Sequence, residues 1–363
     1  QSRLAFLPDG FKWSALSQHR KNLLKLSRRE ANLALIDLTE SVDKSITHRL
    51  NRGSMNFDEN DLKSASKLKA KSALAIWQRL KEKTTEFPYK EILAFIRQNG
   101  IEPHGLKEEP TDNEMLSLIR RSINPQWWVR QLRRVQNRDI EITARALNLV
   151  SKPKQIYVSN VSYRRFQRQR IEQRKYLENM IAENEEGEQF LLSELQDSSI
   201  SNPYIKKSEL MVRCRGFETM AQEADHEGLF ITLTCPSKYH RAYGISGDAN
   251  PKWNGATVLE AQDYLKAVWA RIRASLDRQS IRVYGLRVAE PHHDGTPHWH
   301  LLLFVEKDNS QALKDTFTRY AFEEEGDEKG AAESRLKIVD IDPTKGSATG
   351  YIAKYIAKNI NGE

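Results

Sequence analysis

Cysteine is scarce in this sequence, in which Cys214 and Cys235 are the only two among 363 residues. Two thiols are too few for a disulfide framework or a four-thiolate metal site, so we expect both to be reduced and unreactive. Long apolar runs are also missing, since no window approaches the roughly 18 residues that a membrane-spanning helix needs. The N-terminus lacks a basic start followed by an apolar stretch, and so carries no recognisable secretion signal. These absences favour a cytoplasmic protein.

The remaining composition is that of a folded, polar protein. Apolar residues make up 39% of the chain and charged residues 29%, and the length allows one large domain or two ordinary ones. The chain starts at Gln1 without a methionine and stops just after a helical pattern. We therefore expect it to be a segment of a longer protein.

Positive charge is concentrated in one part of the chain. Residues 111–180 contain 15 Lys/Arg and 6 Asp/Glu, a net charge of +9, whereas the whole chain carries +8. Arginines bind phosphates and aromatic rings stack on unpaired bases, so this segment, with its interleaved aromatic residues, predicts a nucleic-acid surface. A solvated helix face is the alternative, and Trp127 and Trp128 fit a core equally well. The candidate phosphate-binding residues are Arg130, Arg133, Arg134, Arg164, Arg165, Arg168, Arg170, Arg174 and Lys175.

The first half of the chain predicts helices. Apolar residues recur there at three- and four-residue spacing, and capping patterns begin at Thr111 and at Asn124-Pro125. The predicted helices cover residues 14–38, 62–81, 90–97, a segment from 112, 125–148, 162–182 and 203–223. The acidic turn at residues 183–187 is expected to end the sixth of these.

After Gly228 the periodicity changes to that of strands. Strands are predicted at 229–235, 281–290, 298–305 and 335–341, and helices at 258–276, 310–322 and 347–359. This order predicts an α+β chain, in which a mostly helical N-terminal region precedes a ferredoxin-like or RRM-like antiparallel sheet with helices on one face. We divide the chain into residues 1–110, of unknown role, a basic helical DNA-binding region, 111–205, and a sheet domain, 206–363.

A histidine pair lies in the third predicted strand. Residues two apart in a strand point to the same face, so His298 and His300 project together while Trp299 points to the other face. We expect a hairpin turn at Asp294-Gly295 to bring Glu290 roughly opposite the two histidines, where its carboxylate can be the third ligand. Two nitrogens and one carboxylate suit Mg²⁺ or Mn²⁺ acting on a phosphate, although imidazoles also accept Zn²⁺ or Ni²⁺. An ordinary pair of core or surface histidines is the alternative.

The last predicted helix carries two tyrosines and two lysines at four-residue spacing. Tyr351 and Tyr355 share one helical face, with Lys354 and Lys358 beside them. A phenol, with a pKa of about 10, is a poor nucleophile at neutral pH unless a metal polarises its target and nearby cations stabilise the phenolate. For this helix alone, core tyrosines and a solvated lysine face remain the alternative. Together with the histidine strand, the helix predicts catalytic residues.

The two segments carry a family resemblance. RVAEPHHDGTPHWH at residues 287–300 and GSATGYIAKYIAKN at residues 346–359 resemble the two-tyrosine HUH endonucleases. More closely, they resemble the replication gene A protein family of tailed double-stranded DNA phages and their prophages. The strand FITLTCPS at residues 230–237 is similar to the first motif of that family. The resemblance extends back to about residue 160.

The resemblance implies a function. It implies a metal-dependent nickase that initiates rolling-circle replication, in which a tyrosine attacks single-stranded or melted origin DNA, forms a 5′-phosphotyrosine and releases a 3′-OH. Residues 206–363 would then be the HUH endonuclease domain, and adjacent duplex or hairpin DNA, a host helicase and a polymerase its partners. The phosphotyrosine linkage would conserve the energy of the cleaved phosphodiester, so strand joining would need no ATP. The lack of a G-x-x-x-x-G-K-[ST] phosphate loop agrees with this.

Two other functions remain open from the sequence. One is a non-catalytic origin-binding initiator with a structural metal. The other is a cupin-type metalloenzyme, because Gly295, His298, His300 and Glu306 partly match the cupin pattern. Cupins are double-sheet β proteins, however, and the helical flanks argue against one.

Overall fold

A computed structural model describes residues 4–5, 7–45, 54–82, 84–103, 105–150, 155, 157–243, 249–342, 344 and 346–361. The chain divides into two compact units: unit 1 comprises Gln1–Val150 and Val158–Arg164, and unit 2 comprises Ser151–Tyr157 and Arg165–Glu363. The three-region division and its roles, predicted from the sequence, stay a prediction.

Unit 1 is helical. Its helices are α1 (Asp9–Leu23), α2 (Arg28–Ser45), α3 (Glu59–Leu80), α4 (Glu86–Gln98), α5 (Asp112–Ser122) and α6 (Pro125–Ala146), and α7 (Asn160–Glu178) starts here and continues in unit 2. Helix α6 contributes to two apolar clusters, one with α3, α4 and α5 and one with α1 and α2. Trp127 and Trp128 are buried in the first cluster. They are therefore core residues and not stacking platforms for bases.

One predicted helix is two helices in the structure. The sequence pattern over residues 14–38 runs across a break between α1 and α2, where Ser27 and Glu30 cap each other. The Ser27 hydroxyl accepts from the Glu30 backbone N–H, and the Glu30 carboxylate accepts from the Ser27 N–H. This reciprocal cap starts a new helix without interrupting the apolar spacing, which is why periodicity alone missed it.

The segment after α7 also differs from the prediction. Helix α7 ends at Glu178, and a hairpin follows, made of β1 (Ile181–Glu183) and β2 (Gln189–Leu191). The Asn184 side chain accepts from the backbone N–H groups of Glu186 and Glu188, so the acidic stretch is the hairpin turn. The side-chain bonds of an Asn can form such a turn without any apolar alternation in the sequence. The short helix α8 (Leu192–Asp197) and then α9 (Pro203–Glu223) come next.

A four-stranded antiparallel sheet forms the centre of unit 2. Its strands are β3 (His226–Thr234), β4 (Tyr284–Pro291), β5 (Pro297–Glu306) and β6 (Leu336–Asp340), in the order β4-β5-β3-β6. Between them lie α10 (Val258–Arg278), α11 (Ser310–Ala321) and the short α12 (Ala331–Ser334), and α13 (Ala348–Asn361) closes the unit. The strand and helix order and the sheet order are those of a ferredoxin-like fold, which confirms the predicted α+β class.

Helices cover both faces of the sheet, so the prediction of helices on one face was wrong. Leu301 and Leu303 of β5 pack with α10 and α11, while Leu302 and Phe304 pack with α9 and α13. Strand β5 is apolar at successive positions, and a strand of this kind must be buried on both sides. A four-stranded sheet packed between helices on both faces also excludes the double-sheet cupin alternative.

The two thiols, predicted from the sequence to be reduced and unreactive, are both buried. Cys214 lies on α9 under the sheet, and Cys235 follows β3. Burial raises the pKa of Cys214 to about 11 and that of Cys235 further. Both residues therefore remain protonated at neutral pH, which makes them unreactive. In the described ranges, no helix is long and apolar enough to cross a membrane.

Candidate active site

The hairpin of β4 and β5 places three predicted metal ligands together. Glu290 lies directly opposite His298 in the antiparallel register, and Thr232 of β3 lies opposite His300. Because side chains alternate along a strand, Glu290, His298 and His300 share the face covered by α13. Trp299 points to the other face and is completely buried. The turn between the strands uses Gly295 at a φ of 90°, a conformation that glycine adopts without strain.

The three side chains form a compact donor cluster. Ligand atoms of Glu290, His298 and His300 all lie within 4.8 Å of one another. One carboxylate oxygen of Glu290 is 3.0 Å from His300 Nε2 and 3.4 Å from His298 Nε2. Within the described residues this is the only cluster of three or more such groups. The cluster could therefore hold a metal ion.

The protonation of the cluster fits metal binding. Burial by itself raises the pKa of Glu290, but hydrogen bonds with His298, His300, Lys358 and Tyr157 outweigh it and hold that pKa well below its usual range. Burial lowers the pKa of His300, against a hydrogen bond with Glu290. His298 Nδ1 is buried with no hydrogen-bond partner in the described structure. An ionised carboxylate beside a neutral imidazole is the state in which these groups ligate metals.

Helix α13 brings the predicted tyrosines to this cluster. The Tyr355 ring stacks on the His300 ring, with 3.7 Å between centroids. Tyr351 lies one turn earlier, and Phe230 of β3 is 5.8 Å from the Tyr351 ring and 5.7 Å from the Tyr355 ring. Ile352 and Ile356 on the neighbouring face are buried against the sheet. Apolar contacts therefore fix the helix, which places Tyr355 against the donor cluster and Tyr351 one turn away.

The two predicted lysines take different positions. Lys354 is exposed, with its ammonium 4.7 Å from the centre of the Tyr355 ring. Lys358 is half-buried, and its ammonium lies 2.8 Å from the second carboxylate oxygen of Glu290 and 5.6 Å from the centre of the Tyr355 ring. Lys358 therefore contacts a predicted metal ligand as well as a tyrosine, which the helical spacing alone did not indicate.

Three further side chains at this site were not assigned a place there from the sequence. Thr232 is hydrogen-bonded to His300 Nδ1 at 3.1 Å, and this bond fixes the orientation of the imidazole. Tyr157 accepts a hydrogen bond from the Lys358 ammonium. His292, in the turn between β4 and β5, is half-buried with its ring 4.1 Å from the His298 ring. Burial, followed by the nearby charge of His298, lowers the pKa of His292 to about 3.

Comparison with known proteins shows the family of the chain. Residues 40–363 match the bacteriophage replication gene A protein (GPA) family. The chain belongs to this family. The resemblance noted at the two motifs is thereby confirmed for most of the chain. No solved structure matches it.

Several relatives of this replication gene A family chain are phage or prophage proteins. It is 44% identical over 254 residues to the replication gene A protein of Escherichia phage 186, covering 69% of the chain and 36% of the relative. It is 36% identical over 362 residues to a probable replication protein P12 of Pseudoalteromonas phage PM2, covering 93% and 55%. It is 36% identical over 258 residues to a probable replication endonuclease from a prophage-like region of Shigella boydii, covering 70% and 32%. The chain thus spans about a third to a half of the length of these relatives.

The predicted phosphate-binding residues of this family member lie on α6 and α7. Arg133 forms an ion pair with Glu59, and Arg174 forms ion pairs with Glu178 and Asp197. Arg165 is partly buried, whereas the remaining six are exposed, namely Arg130, Arg134, Arg164, Arg168, Arg170 and Lys175. Helix α7 has no buried residue in the described structure and exposes Phe166 as well. Its surface is therefore open to a ligand.

A buried carboxylate on α9 holds the start of the tyrosine helix. Glu218 is 6% exposed and accepts hydrogen bonds from the Ala348 backbone N–H at 2.9 Å and the Thr349 hydroxyl at 2.8 Å. A negative charge at this end also complements the helix dipole. Burial raises the pKa of Glu218, but the bonds from Thr349 and Ala348 lower it more, so it lies below its ordinary value. The sequence pattern could not predict this contact, because Glu218 is about 130 residues away from Ala348 and Thr349 in the chain.

We expect Glu218→Gln to lower the free energy of unfolding by about 1 kcal/mol near neutral pH, because the charged cap of α13 is lost. The folded pKa of Glu218 is depressed, so the ionised carboxylate stabilises the fold above about pH 4.5 and loses this effect as the pH falls through the folded value. The difference between wild type and variant should therefore shrink in acid. Urea unfolding across this pH range measures it.

The matched control is Glu209→Gln, an exposed glutamate on the same helix. It should change the stability little at any pH. A Glu218→Gln effect that does not change with pH, or that equals the control, would show that the Glu218 charge does not hold α13.

Proposed function

We propose that the chain is a site-specific single-strand DNA endonuclease and strand-transferase that initiates rolling-circle replication. The observation that carries this proposal is the Tyr355 ring stacked on His300, next to the cluster of Glu290, His298 and His300. Membership of the replication gene A family supports it, as does a relative named as a probable replication endonuclease. Cleavage of DNA would thus occur where the tyrosines of α13 meet the histidines of β5.

The donor cluster is proposed to hold Mg²⁺ or Mn²⁺. Glu290, His298 and His300 supply a mixed oxygen and nitrogen set, which hard and borderline divalent ions accept. When bound there, the ion would supply Lewis-acid polarisation of a phosphodiester oxygen. Thr232 would keep the His300 ring in its ligating orientation through the bond to Nδ1.

The cleavage step is a transesterification. The phenolic oxygen of Tyr351 or Tyr355 forms a bond to phosphorus, and the bond between phosphorus and the DNA 3′-oxygen breaks. The phenolic proton is transferred in the course of the step, and the leaving oxygen ends as a 3′-OH that can prime synthesis. The products are a 5′-phosphotyrosine and a free 3′-OH, so the number of phosphodiester-type bonds is unchanged. Rejoining therefore requires no nucleotide hydrolysis.

The lysines would assist the tyrosine chemistry through their charge. The Lys354 ammonium lies over the Tyr355 ring and would stabilise a phenolate there. Lys358 lies between Glu290 and the same ring, where a positive charge would favour both the phenolate and the anionic phosphate. Because these groups are fixed on one helix, little reorganisation is needed as the charge develops.

Two tyrosines on one helix would allow two linked cuts. After one round of synthesis, the second tyrosine would cleave the regenerated origin, and the freed 3′-OH would attack the first phosphotyrosine. Tyr351 and Tyr355 are four residues apart on α13 and both contact Phe230, so they would serve the same cluster in turn.

The basic helices are proposed to hold the DNA. Exposed arginines on α7 would bind phosphates, and exposed Phe166 offers a ring for an unpaired base. Single-stranded or melted origin DNA, together with adjacent duplex or hairpin DNA, is the proposed ligand. A host helicase and polymerase would follow at the released 3′-OH.

Incubation with labelled single-stranded origin DNA and Mn²⁺ tests the catalytic proposal. We expect a protein–DNA adduct that survives denaturation, because the phosphotyrosine bond is covalent. The variant with both Tyr351→Phe and Tyr355→Phe should form none, since it has lost both proposed nucleophiles. Tyr204→Phe, at an exposed tyrosine on α9, is the control and should act like wild type.

The same assay distinguishes the proposal from a non-catalytic origin-binding protein with a structural metal. Such a protein would bind origin DNA without forming an adduct. An adduct that is undiminished in the double phenylalanine variant would also exclude Tyr351 and Tyr355 as the nucleophiles.

We expect His300→Ala to lower the rate of cleavage by at least roughly 100-fold, because a metal ligand is lost. Its affinity for DNA should stay within about threefold of wild type, since phosphate contacts on the basic helices supply the binding energy. Single-turnover cleavage and fluorescence anisotropy measure the two effects. A parallel loss of cleavage and binding in a folded variant would contradict this division of roles.

Neutralising Arg164, Arg168 and Arg170 to Gln should weaken DNA binding and make it less dependent on salt. If each arginine binds one phosphate, the slope of log K against log salt concentration should become about 2 units less negative for single-stranded DNA. The control neutralises three exposed lysines of α3, namely Lys63, Lys67 and Lys71. An unchanged slope for the α7 variant, or an equal change for both, would exclude α7 as the DNA-binding surface.

A further inference from the structure

Tyr157 lies next to the candidate active site although it is distant from it in sequence. It belongs to the segment Ser151–Tyr157, which groups with unit 2 while the residues on both sides of it group with unit 1. Its hydroxyl accepts a hydrogen bond from the Lys358 ammonium, and its ring centre is 4.7 Å from the same nitrogen. Two separate contacts therefore join this tyrosine to one catalytic lysine candidate.

Lys358 is held between two partners. Its ammonium lies 2.8 Å from one oxygen of Glu290, whose other oxygen faces His298 and His300. The Tyr157 hydroxyl takes a second hydrogen of the same ammonium. A lysine side chain has many rotamers, so two fixed acceptors at its end greatly restrict where the charge can lie.

We propose that Tyr157 is a positioning residue of the active site, whose hydroxyl holds the Lys358 ammonium between the Glu290 carboxylate and the Tyr355 ring. This inference rests on the proposed function for its effect on DNA cleavage, but its effect on Glu290 is independent of cleavage. Tyr157 itself need not touch the DNA. It acts by keeping a positive charge beside both a metal ligand and a nucleophile.

The first test is single-turnover adduct formation at saturating DNA. Tyr157→Phe keeps the ring and removes the hydroxyl, so the maximal rate should fall roughly tenfold while the half-saturating DNA concentration stays within about twofold. Tyr204→Phe, at a tyrosine that is 76% exposed, is the matched control and should leave both values unchanged.

A double-mutant cycle shows whether Tyr157 acts through Lys358. In a Lys358→Met background, Tyr157→Phe should change the rate less than about twofold, because the ammonium that it positions is gone. If the two losses multiply, Tyr157 acts independently of Lys358 and the inference is wrong. A Tyr157→Phe rate equal to that of wild type would also overturn it.

The second test measures Mn²⁺ affinity by calorimetry without DNA. Lys358 competes with a metal for Glu290, so Lys358→Met should bind Mn²⁺ more tightly. Tyr157→Phe loosens the hold of Lys358 on Glu290 and should change the affinity in the same direction, by roughly two- to tenfold. In the Lys358→Met background it should change the affinity less than about twofold, whereas an equal change there would show that Tyr157 acts on Glu290 directly and not through Lys358.

The two readouts separate the inference from the proposed function. If wild type forms no DNA adduct, the proposed nickase is wrong, but a Mn²⁺ affinity that Tyr157→Phe raises in the wild-type background and not in the Lys358→Met background still supports the positioning role. If wild type forms the adduct and Tyr157→Phe changes neither rate nor Mn²⁺ affinity, only the positioning role is wrong. An unchanged Mn²⁺ affinity overturns it even when cleavage is absent.

Discussion

The candidate active site is organised around one buried negative charge, that of Glu290. Removing a carboxylate from water is costly unless charged or hydrogen-bonding groups replace the solvent. Here the replacements come from three parts of the chain: His298 and His300 from β5, Lys358 from α13 and Tyr157 from the segment before α7. The ionised state of Glu290 therefore depends on the hairpin register, on the docking of α13 and on the Tyr157 segment together.

Helix α13 and strand β5 each use one face for apolar packing and another face for the polar groups of the candidate active site. On α13, Ile352 and Ile356 are buried against the sheet, while Tyr355 lies over His300. On β5, Trp299 is buried on the face opposite to the two histidines. Each fully buried large apolar side chain contributes about 1.5–3 kcal/mol. These contacts fix the backbone, and the polar groups then meet with little freedom to separate.

The site also depends on a constraint at the start of α13. Glu218 accepts bonds from the first turn of this helix and lies on α9, the other helix of the same layer. The N-terminus of the tyrosine helix is thus tied to its neighbour, and its C-terminal part is tied to the sheet through Lys358 and Glu290. A helix held in this way at both ends keeps Tyr355 over His300.

The sequence by itself determined which side chains share one face of a strand or helix. The period of two along β5 set His298 and His300 on one face, and the period of the last helix set Tyr351 and Tyr355 on one side, because both follow from backbone geometry. Capping patterns located helices at Thr111 and Asn124 for the same reason. The short-range motifs were also sufficient to indicate the replication gene A family.

Only the tertiary structure decided which distant residues meet. The contact of Tyr157 with Lys358, the cap that Glu218 places on α13 and the second helical layer on the sheet join segments that are far apart in the chain. The periodicity of the sequence does not predict such contacts, because they form only when apolar faces of distant segments are buried against one another. The same physics made Trp127 and Trp128 core residues, although their arginine-rich surroundings equally suited a nucleic-acid surface. Residue types and spacing determined what chemistry was available, and packing decided which of those groups share one site.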